Sequence, residues 1–451
     1  MPIEQTLVQF SWAFIVALSL LVLVPYWFRR TDLLTSWNVF LLGSIVFVGT
    51  AGLMSGYQPE RFRILEYRRE DYELFMAGVL TFYGVLIAVY YLFKLPRRVG
   101  ANVLRTWPPD TVPVLFLMLA VTLVFAVTAV VPHSIPGVSQ FLFQVGNKAI
   151  PIAVVLAFIA WFKQRTNVPL LFFFLGVMFL AVGFAVMIGG GRRSLIAVLA
   201  AVPVSLYWLH FRKVRPVVTL TVLGGCGVAL ATVVGAYSMV RHFDRRGERQ
   251  ERNFEHSLQA VANVPTHLFD FDIEPLLGQN AGQMSLAAIQ LYTQDHEPAP
   301  FHSLKFVAVN WIPRTIWEDK PEGLGQILPR DAKSRTRATW GAGIVGHGFH
   351  EGGLHMLAFY ALLVGAALRF WDELLKTQPD NPYILGAFAA MFGHIFGWTR
   401  GDIGTFTIQI IGCVLAMLLL NIVGRVLFGG VRTLAPGTYP AVYWPAAGGY
   451  Q

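Results

Sequence analysis

Charge is scarce in this chain: Asp, Glu, Lys and Arg make up 14% of its 451 residues, against about 25% in a typical soluble globular domain. That shortage excludes an ordinary water-soluble enzyme. Cysteine is scarcer still, and Cys226 and Cys413 both fall inside apolar runs, so neither a disulfide framework nor thiol chemistry is implied. No basic segment and no small-residue cleavage site accompany the first apolar run, which is expected to be a retained helix rather than a removed signal peptide. An internal repeat, the mark of many transporters, is not visible.

What the chain has is apolar length. Hydrophobic residues are 55% of the total and mean hydropathy is +0.55. A membrane helix needs about 20 mostly apolar residues, and eleven such runs stand at about 7–28, 37–56, 73–93, 112–131, 145–162, 168–188, 194–211, 216–240, 352–368, 382–398 and 403–424. The expected fold is an all-α, polytopic integral membrane bundle of about 11–12 transmembrane helices with one long loop outside the cytoplasm. Residues 1–240 form an N-terminal bundle of about eight helices and 241–351 the long polar loop. Residues 352–427 hold the last helices, and 428–451 read as a flexible tail. A loop of that length is functional rather than passive.

Sidedness follows from Lys and Arg in short loops, which are retained in the cytoplasm. With the N-terminus outside, fifteen basic residues fall in internal segments and eight in short external ones. The long loop then lies outside. A net charge of +9 suits anionic lipid or an anionic substrate, and nothing points to nucleic acid.

Several polar constellations stand out against this background. Gly189, Gly190 and Gly191 precede Arg192 and Arg193 at the start of an apolar run, where free backbone N–H groups, the helix dipole and two guanidinium groups suit a phosphate. The alternative is a tight turn whose arginines snorkel to headgroups. In the long loop, Trp311, Pro313, Arg314, Trp317, Lys320 and Pro321 combine flat rings for a sugar face or a membrane interface with two cations for phosphate oxygens. The bland reading is an interfacial anchor in which Lys320 pairs with Glu318 or Asp319. Trp340 opens a Gly-rich approach to His347, His350, Glu351 and His355. On one helix His347, Glu351 and His355 would share a face, and a carboxylate among imidazoles is a candidate general base.

Metal ligation is disfavoured. His350-Glu351 begins like the His-Glu-x-x-His zinc signature, but the next histidine is His355, about 140° further around a helix. Asp270 and Asp272 form an isolated Asp-x-Asp without a nucleotide-binding domain around it, which favours a loop-structuring role. His394, Trp398, Arg400 and Asp402 make a polar pinch between two late runs: either an Arg400 to Asp402 surface pair or one more cation at the same external pocket. Arg61, Arg63, Arg68 and Arg69 read as part of a surface loop. Arg245, Arg246, Arg249 and Arg252 read as a solvated helical face, with Arg241 near enough to the membrane to join the pocket.

The Gly-Gly-Arg-Arg corner, the stretch Ile312-Pro313-Arg314-Thr315-Ile316-Trp317-Glu318-Asp319-Lys320-Pro321 and the Gly-rich approach to His350-Glu351-Gly352-Gly353 together resemble the Wzy-type oligosaccharide repeat-unit (O-antigen) polymerases. The likeness runs from about residue 185 to 400, and ten residues separate Arg314 from Gly325, as described for such polymerases. Earlier runs match only as a multi-helix bundle. The resemblance implies a GT-C-like membrane glycosyltransferase that joins undecaprenyl-diphosphate-linked oligosaccharides at the periplasmic face of the bacterial inner membrane. It implies no cofactor and suggests a separate chain-length regulator. Under it, Glu351 with His347 or His350 serves the acceptor hydroxyl, Arg192, Arg193, Arg314 and Lys320 bind diphosphate with Arg241 and Arg400 as second choices, and Trp311, Trp317 and Trp340 contact sugar. An O-antigen ligase and a polyprenyl-linked sugar or anion transporter are the alternatives.

Overall fold

The computed structural model describes residues 3–57, 65–128, 138–187, 192–242, 281–293, 296–333 and 339–432. The glycines at 189–191, Arg61, Arg63, Arg245, Arg246, Arg249, Arg252, Asp270, Asp272 and the tail beyond 432 lie outside these residues, as does the side chain of Arg241.

A backbone crossing hydrocarbon must satisfy its own hydrogen bonds, and the apolar runs accordingly become helices. In chain order they are α1 (Ile3–Trp27), α2 (Ser36–Ser44), a π-helical turn (Ile45–Gly49), α3 (Thr50–Tyr57), α4 (Arg69–Leu92) and α5 (Lys94–Asn102). Next come α6 (Val112–Thr128), α7 (Val138–Lys163), α8 (Val168–Met187), α9 (Arg192–Leu209) and α10 (Pro216–His242). The long polar segment supplies α11 (Ala281–Tyr292), α12 (His302–Val309), α13 (Leu324–Asp331) and α14 (Gly343–Glu351). The chain closes with α15 (Leu354–Thr377), α16 (Pro382–Gly397) and α17 (Ile403–Phe428). Strand structure among the described residues is a two-residue antiparallel ladder, Thr106–Trp107 against Val431–Arg432.

Nine spans among the described residues are long and apolar enough to cross a membrane, and α6 and α16 are shorter apolar helices. This is a multi-pass membrane protein. Each of the eleven expected runs coincides with a helix. The largest difference is α15, which continues past 368 to Thr377 because its polar last turns find partners: Glu373 faces Arg97 at 3.5 Å, and Asp372 caps α2.

Two helices form the centre. α16 is enclosed on nearly every face, packing against α7, α9, α17 and α2, and most of α7 is likewise buried. A helix apolar all round belongs there. α8 and α10 lie at the periphery and turn side chains such as Phe172 and Phe179 outward, as lipid-facing helices do.

One end of the bundle is closed by polar clasps. Asp372, fully buried, accepts hydrogen bonds from the Ser36 N–H (2.6 Å), the Ser36 hydroxyl (2.7 Å), the Trp37 N–H (3.2 Å) and the Tyr90 hydroxyl (2.6 Å). Arg212 pairs with Asp32 at 2.7 Å, and Lys163 pairs with Asp110. The opposite end carries α11 to α14 and the 398–402 turn.

Candidate functional site

Three polar assemblies meet at that opposite end. The first centres on Glu351, which has no solvent-exposed surface. Its Oε1 accepts from the Ser303 N–H at 3.1 Å and the Ser303 hydroxyl at 2.6 Å, and its Oε2 accepts from the Tyr360 hydroxyl. The Ile403 N–H donates to His347 Nε2 at 3.2 Å, which leaves His347 Nδ1 to donate to Ser303 Oγ at 2.8 Å. The donors form a relay from α17 through α14 and α12 to the carboxylate. Burial alone would raise the Glu351 pKa, but His347 and the hydroxyls of Ser303 and Tyr360 outweigh it and hold the carboxyl below its ordinary value. Such a group is an anchor in this arrangement, with its oxygens already occupied.

Gly352 and Gly353 end α14 at φ values of +148° and +70°, a region where side chains are strained. The break corrects the expected shared face. His355 begins the next helix and is exposed, away from His347 and Glu351.

Asp402 extends the same assembly. It caps α17 by accepting the Thr405 N–H at 2.8 Å and holds α13 by accepting the Gly325 N–H at 2.9 Å. Burial pushes its pKa up, yet His347 and those two N–H groups bring it below the usual carboxylate value. No Arg400 to Asp402 ion pair forms among the described residues.

The second assembly is a stack of imidazoles. His350 lies 5.3 Å from His296 and 5.1 Å from His302 between ring centroids, with Tyr292 at 4.6 Å. His350 Nδ1 and His296 Nε2 are buried without hydrogen-bond partners. Burial, then the neighbouring His302, His347 and His296, push the His350 pKa down to about 4. Among the described residues no group of three His, Cys, Asp or Glu side chains is arranged to hold a metal ion.

The third assembly is basic. Arg192 and Arg193 open α9, a helix with no acidic residue in its first turn. Two cations at the positive end of a helix dipole are the wrong sign for helix stability and the right sign for holding an anion. Gly393 brings α16 against them, since a Cβ there would stand 2.7 Å from the Arg193 carbonyl oxygen. The Arg193 guanidinium lies 4.3 Å from the Phe406 ring centre, and Arg400 lies 5.5 Å from that of Phe47, within the π-helical turn. The charged neighbours of Arg400 are Arg193 and Arg192; of Lys148, Arg193; of His394, Lys148 and Arg193. Among the described residues, no carboxylate stands among these neighbours. Burial first, then Arg193 and Arg192, depress the Arg400 pKa to about 9.

The loop cations expected beside these are held elsewhere. Lys320, 7% exposed, donates to the carbonyls of Asn310 (3.1 Å) and Ile312 (2.7 Å), closing its own loop. Burial, then Arg314, lower its pKa. Arg314 is exposed, donates to the Glu318 carbonyl at 2.8 Å and faces Glu322 at 3.7 Å. Trp317 is exposed, Trp311 leans on Phe141 at 6.2 Å, and the Trp340 N–H donates to the Gly325 carbonyl at 2.9 Å. The structure thus joins Arg192, Arg193 and Arg400, and separately His347 with Glu351. It leaves Arg314 and Lys320 in their own loop.

Sequence reasoning missed Lys148, Ser303 and Tyr360. A lysine inside an otherwise apolar span was a usable signal for the first. Ser303 and Tyr360 carry no signal apart from the fold. No protein-family model matches the chain, and no curated protein or solved structure is significantly similar to it.

Proposed function

We propose that the protein is an integral membrane glycosyltransferase with a GT-C-like fold, polymerising undecaprenyl-diphosphate-linked oligosaccharide repeat units at the periplasmic face of the bacterial inner membrane. The observation that carries this reading is the basic cluster of Arg192, Arg193, Arg400, Lys148 and His394, gathered at one end of the bundle, with no carboxylate among the charged neighbours of Arg400, Lys148 or His394 among the described residues. Cations gathered at one end of a membrane protein suit an anionic substrate. A lipid diphosphate is such a substrate.

In the reaction, the acceptor hydroxyl oxygen bonds to the anomeric carbon of the donor sugar as the bond from that carbon to the diphosphate oxygen breaks. Negative charge grows on the departing polyprenyl diphosphate, where fixed guanidinium groups take the balancing role that a divalent cation has in other enzymes. Removing one such preorganised group typically costs about 10²–10³ in rate. The hydroxyl proton goes to Glu351 or a neighbouring imidazole. For Glu351 to accept it, α12 must withdraw Ser303 from the carboxylate.

A transport reading needs a path to the other end of the bundle, the end that carries the contacts of Asp372, Arg212 and Lys163. The test is purified protein in lipid nanodiscs with lipid-linked repeat units and no ion gradient. A ladder of longer lipid-linked chains, lost in Arg193→Ala and Arg400→Ala, is the expected result. Transfer to a lipid A-core acceptor alone would make the protein a ligase. No transfer to either acceptor would overturn the reading.

A further inference from the structure

The chain bends where the apolar run of α4 ends. Phe93, in extended conformation at φ −80° and ψ 106°, separates α4 from α5, so Lys94–Asn102 starts a new helix instead of prolonging the span. Pro96 and Gly100 are its buried residues, and a Cβ at Gly100 would stand 2.6 Å from the Phe370 carbonyl oxygen of α15. At about 100° per residue, Leu95 and Val99 lie about 100° to one side of that buried stripe, and Lys94 and Arg98 about 100° further round. Arg97 flanks the buried stripe on its other side, where it faces Glu373 at 3.5 Å. Leu95 and Val99 are exposed, as are Leu92 and Phe93 before them. They form an apolar edge continuous with the outer end of α4.

The cationic side is not balanced from within. Glu373 is shared between Arg97 and Arg369, the latter at 3.8 Å. The side chains of Lys94 and Arg98 are exposed and make no ion pair among the described residues. α5 has neither an acid in its first turn nor a side-chain cap, so Lys94 adds its charge to the positive end of the helix dipole, where an anion is favoured. A short helix with one apolar and one basic side is suited to lie in the headgroup layer of a membrane.

We infer that α5 lies in the membrane surface at the Asp372 end of the bundle and binds the headgroup phosphate of an anionic phospholipid, with Lys94 and Arg98 as its cations and Leu95 and Val99 against the acyl chains. This surface stands at the opposite end from the basic cluster of α9 and does not depend on the transferase reading. Each cation beside an anionic leaflet contributes about fivefold in affinity, so the pair gives about a 30-fold preference for anionic over zwitterionic lipid.

The test is the full chain in phosphatidylcholine nanodiscs carrying a trace of either phosphatidylglycerol or phosphatidylcholine with a diazirine beside the headgroup. Label in the peptide that holds α5 is expected to be at least tenfold greater from phosphatidylglycerol, to fall at least tenfold in the double variant Lys94→Gln/Arg98→Gln, and to change less than threefold in Arg97→Gln. Equal labelling by the two lipids, or label unchanged in the double variant, overturns the inference. Loss of the label to inorganic phosphate at constant ionic strength makes the surface a free-anion site and overturns the assignment to lipid. A spin label at Leu95→Cys, in a Cys226→Ala background that removes the exposed thiol, checks the apolar side. Greater accessibility to dissolved oxygen than to an aqueous nickel chelate supports the inference; the reverse places α5 in water, as a surface for a soluble acidic partner, and overturns it.

Discussion

Replacing Arg400 by methionine should stabilise the empty protein while disabling it. Burial and the charges of Arg193 and Arg192 lower the Arg400 pKa from 12.5 to about 9. At about 1.4 kcal/mol per pKa unit, that fall corresponds to about 5 kcal/mol against the charged form in the folded state. The sign is that of a base with a depressed folded pKa: at pH 7 both states are protonated, and the folded one bears the penalty. Relaxation and water near the turn reduce the usable part to about 1–2 kcal/mol. Methionine keeps an apolar stem and gives up the contact with Phe47, worth about 0.5–1 kcal/mol. The expected outcome is an unchanged or higher Tm for empty Arg400→Met in nanodiscs, by up to about 2 °C, with transfer down about 10²–10³-fold. Polyprenyl diphosphate at about 100 times its Kd should add about 2.7 kcal/mol to wild type and far less to the variant. A clearly lower Tm without ligand, or an undiminished ligand-induced rise, would refute the reasoning.

Two further outcomes follow from the buried network. Glu351→Gln should lower transfer by about 10²–10⁴-fold if its carboxylate takes the hydroxyl proton, whereas Ser303→Ala, which removes a competing donor, should keep activity within tenfold; equal losses would make Glu351 a packing anchor only. His350 is held neutral with its pKa near 4, against an ordinary 6.5. The unfolded chain therefore binds a proton first, and stability should fall as pH drops from about 6.5 toward 4. Thermal unfolding across that range checks this, and His350→Phe should flatten the dependence between pH 6.5 and 5, above the carboxylate range. An identical slope in the variant would assign the effect elsewhere.

The helices were legible because length and apolarity decide them: the runs at 37–56 and 403–424 became Ser36–Tyr57 and Ile403–Phe428. The pairing of Arg192 and Arg193 with Arg400 was legible only as a shared end of the bundle. Which side chains touch was not, because the helical period reports a face and not the neighbour that covers it. Arg314 and Lys320 illustrate the limit. Their residue types suit phosphate, yet the local loop geometry offers Lys320 two carbonyls and Arg314 a carboxylate closer to hand. Sequence spacing also placed His355 on the His347 face, and two glycines at positive φ took it off. Lys148 sits on a helix whose other residues gave no reason to look for a partner, and its neighbours come from α9 and α16, far along the chain.

The decisive measurement is whether, and where, a lipid diphosphate binds. An electron cryomicroscopy reconstruction of the full chain in nanodiscs with an undecaprenyl-diphosphate-linked sugar should place the two phosphates beside Arg193 and Arg400, with the prenyl chain leaving between helices into the membrane. Diphosphate density at Arg314 and Lys320 instead, or at the Asp372 end of the bundle, would contradict it.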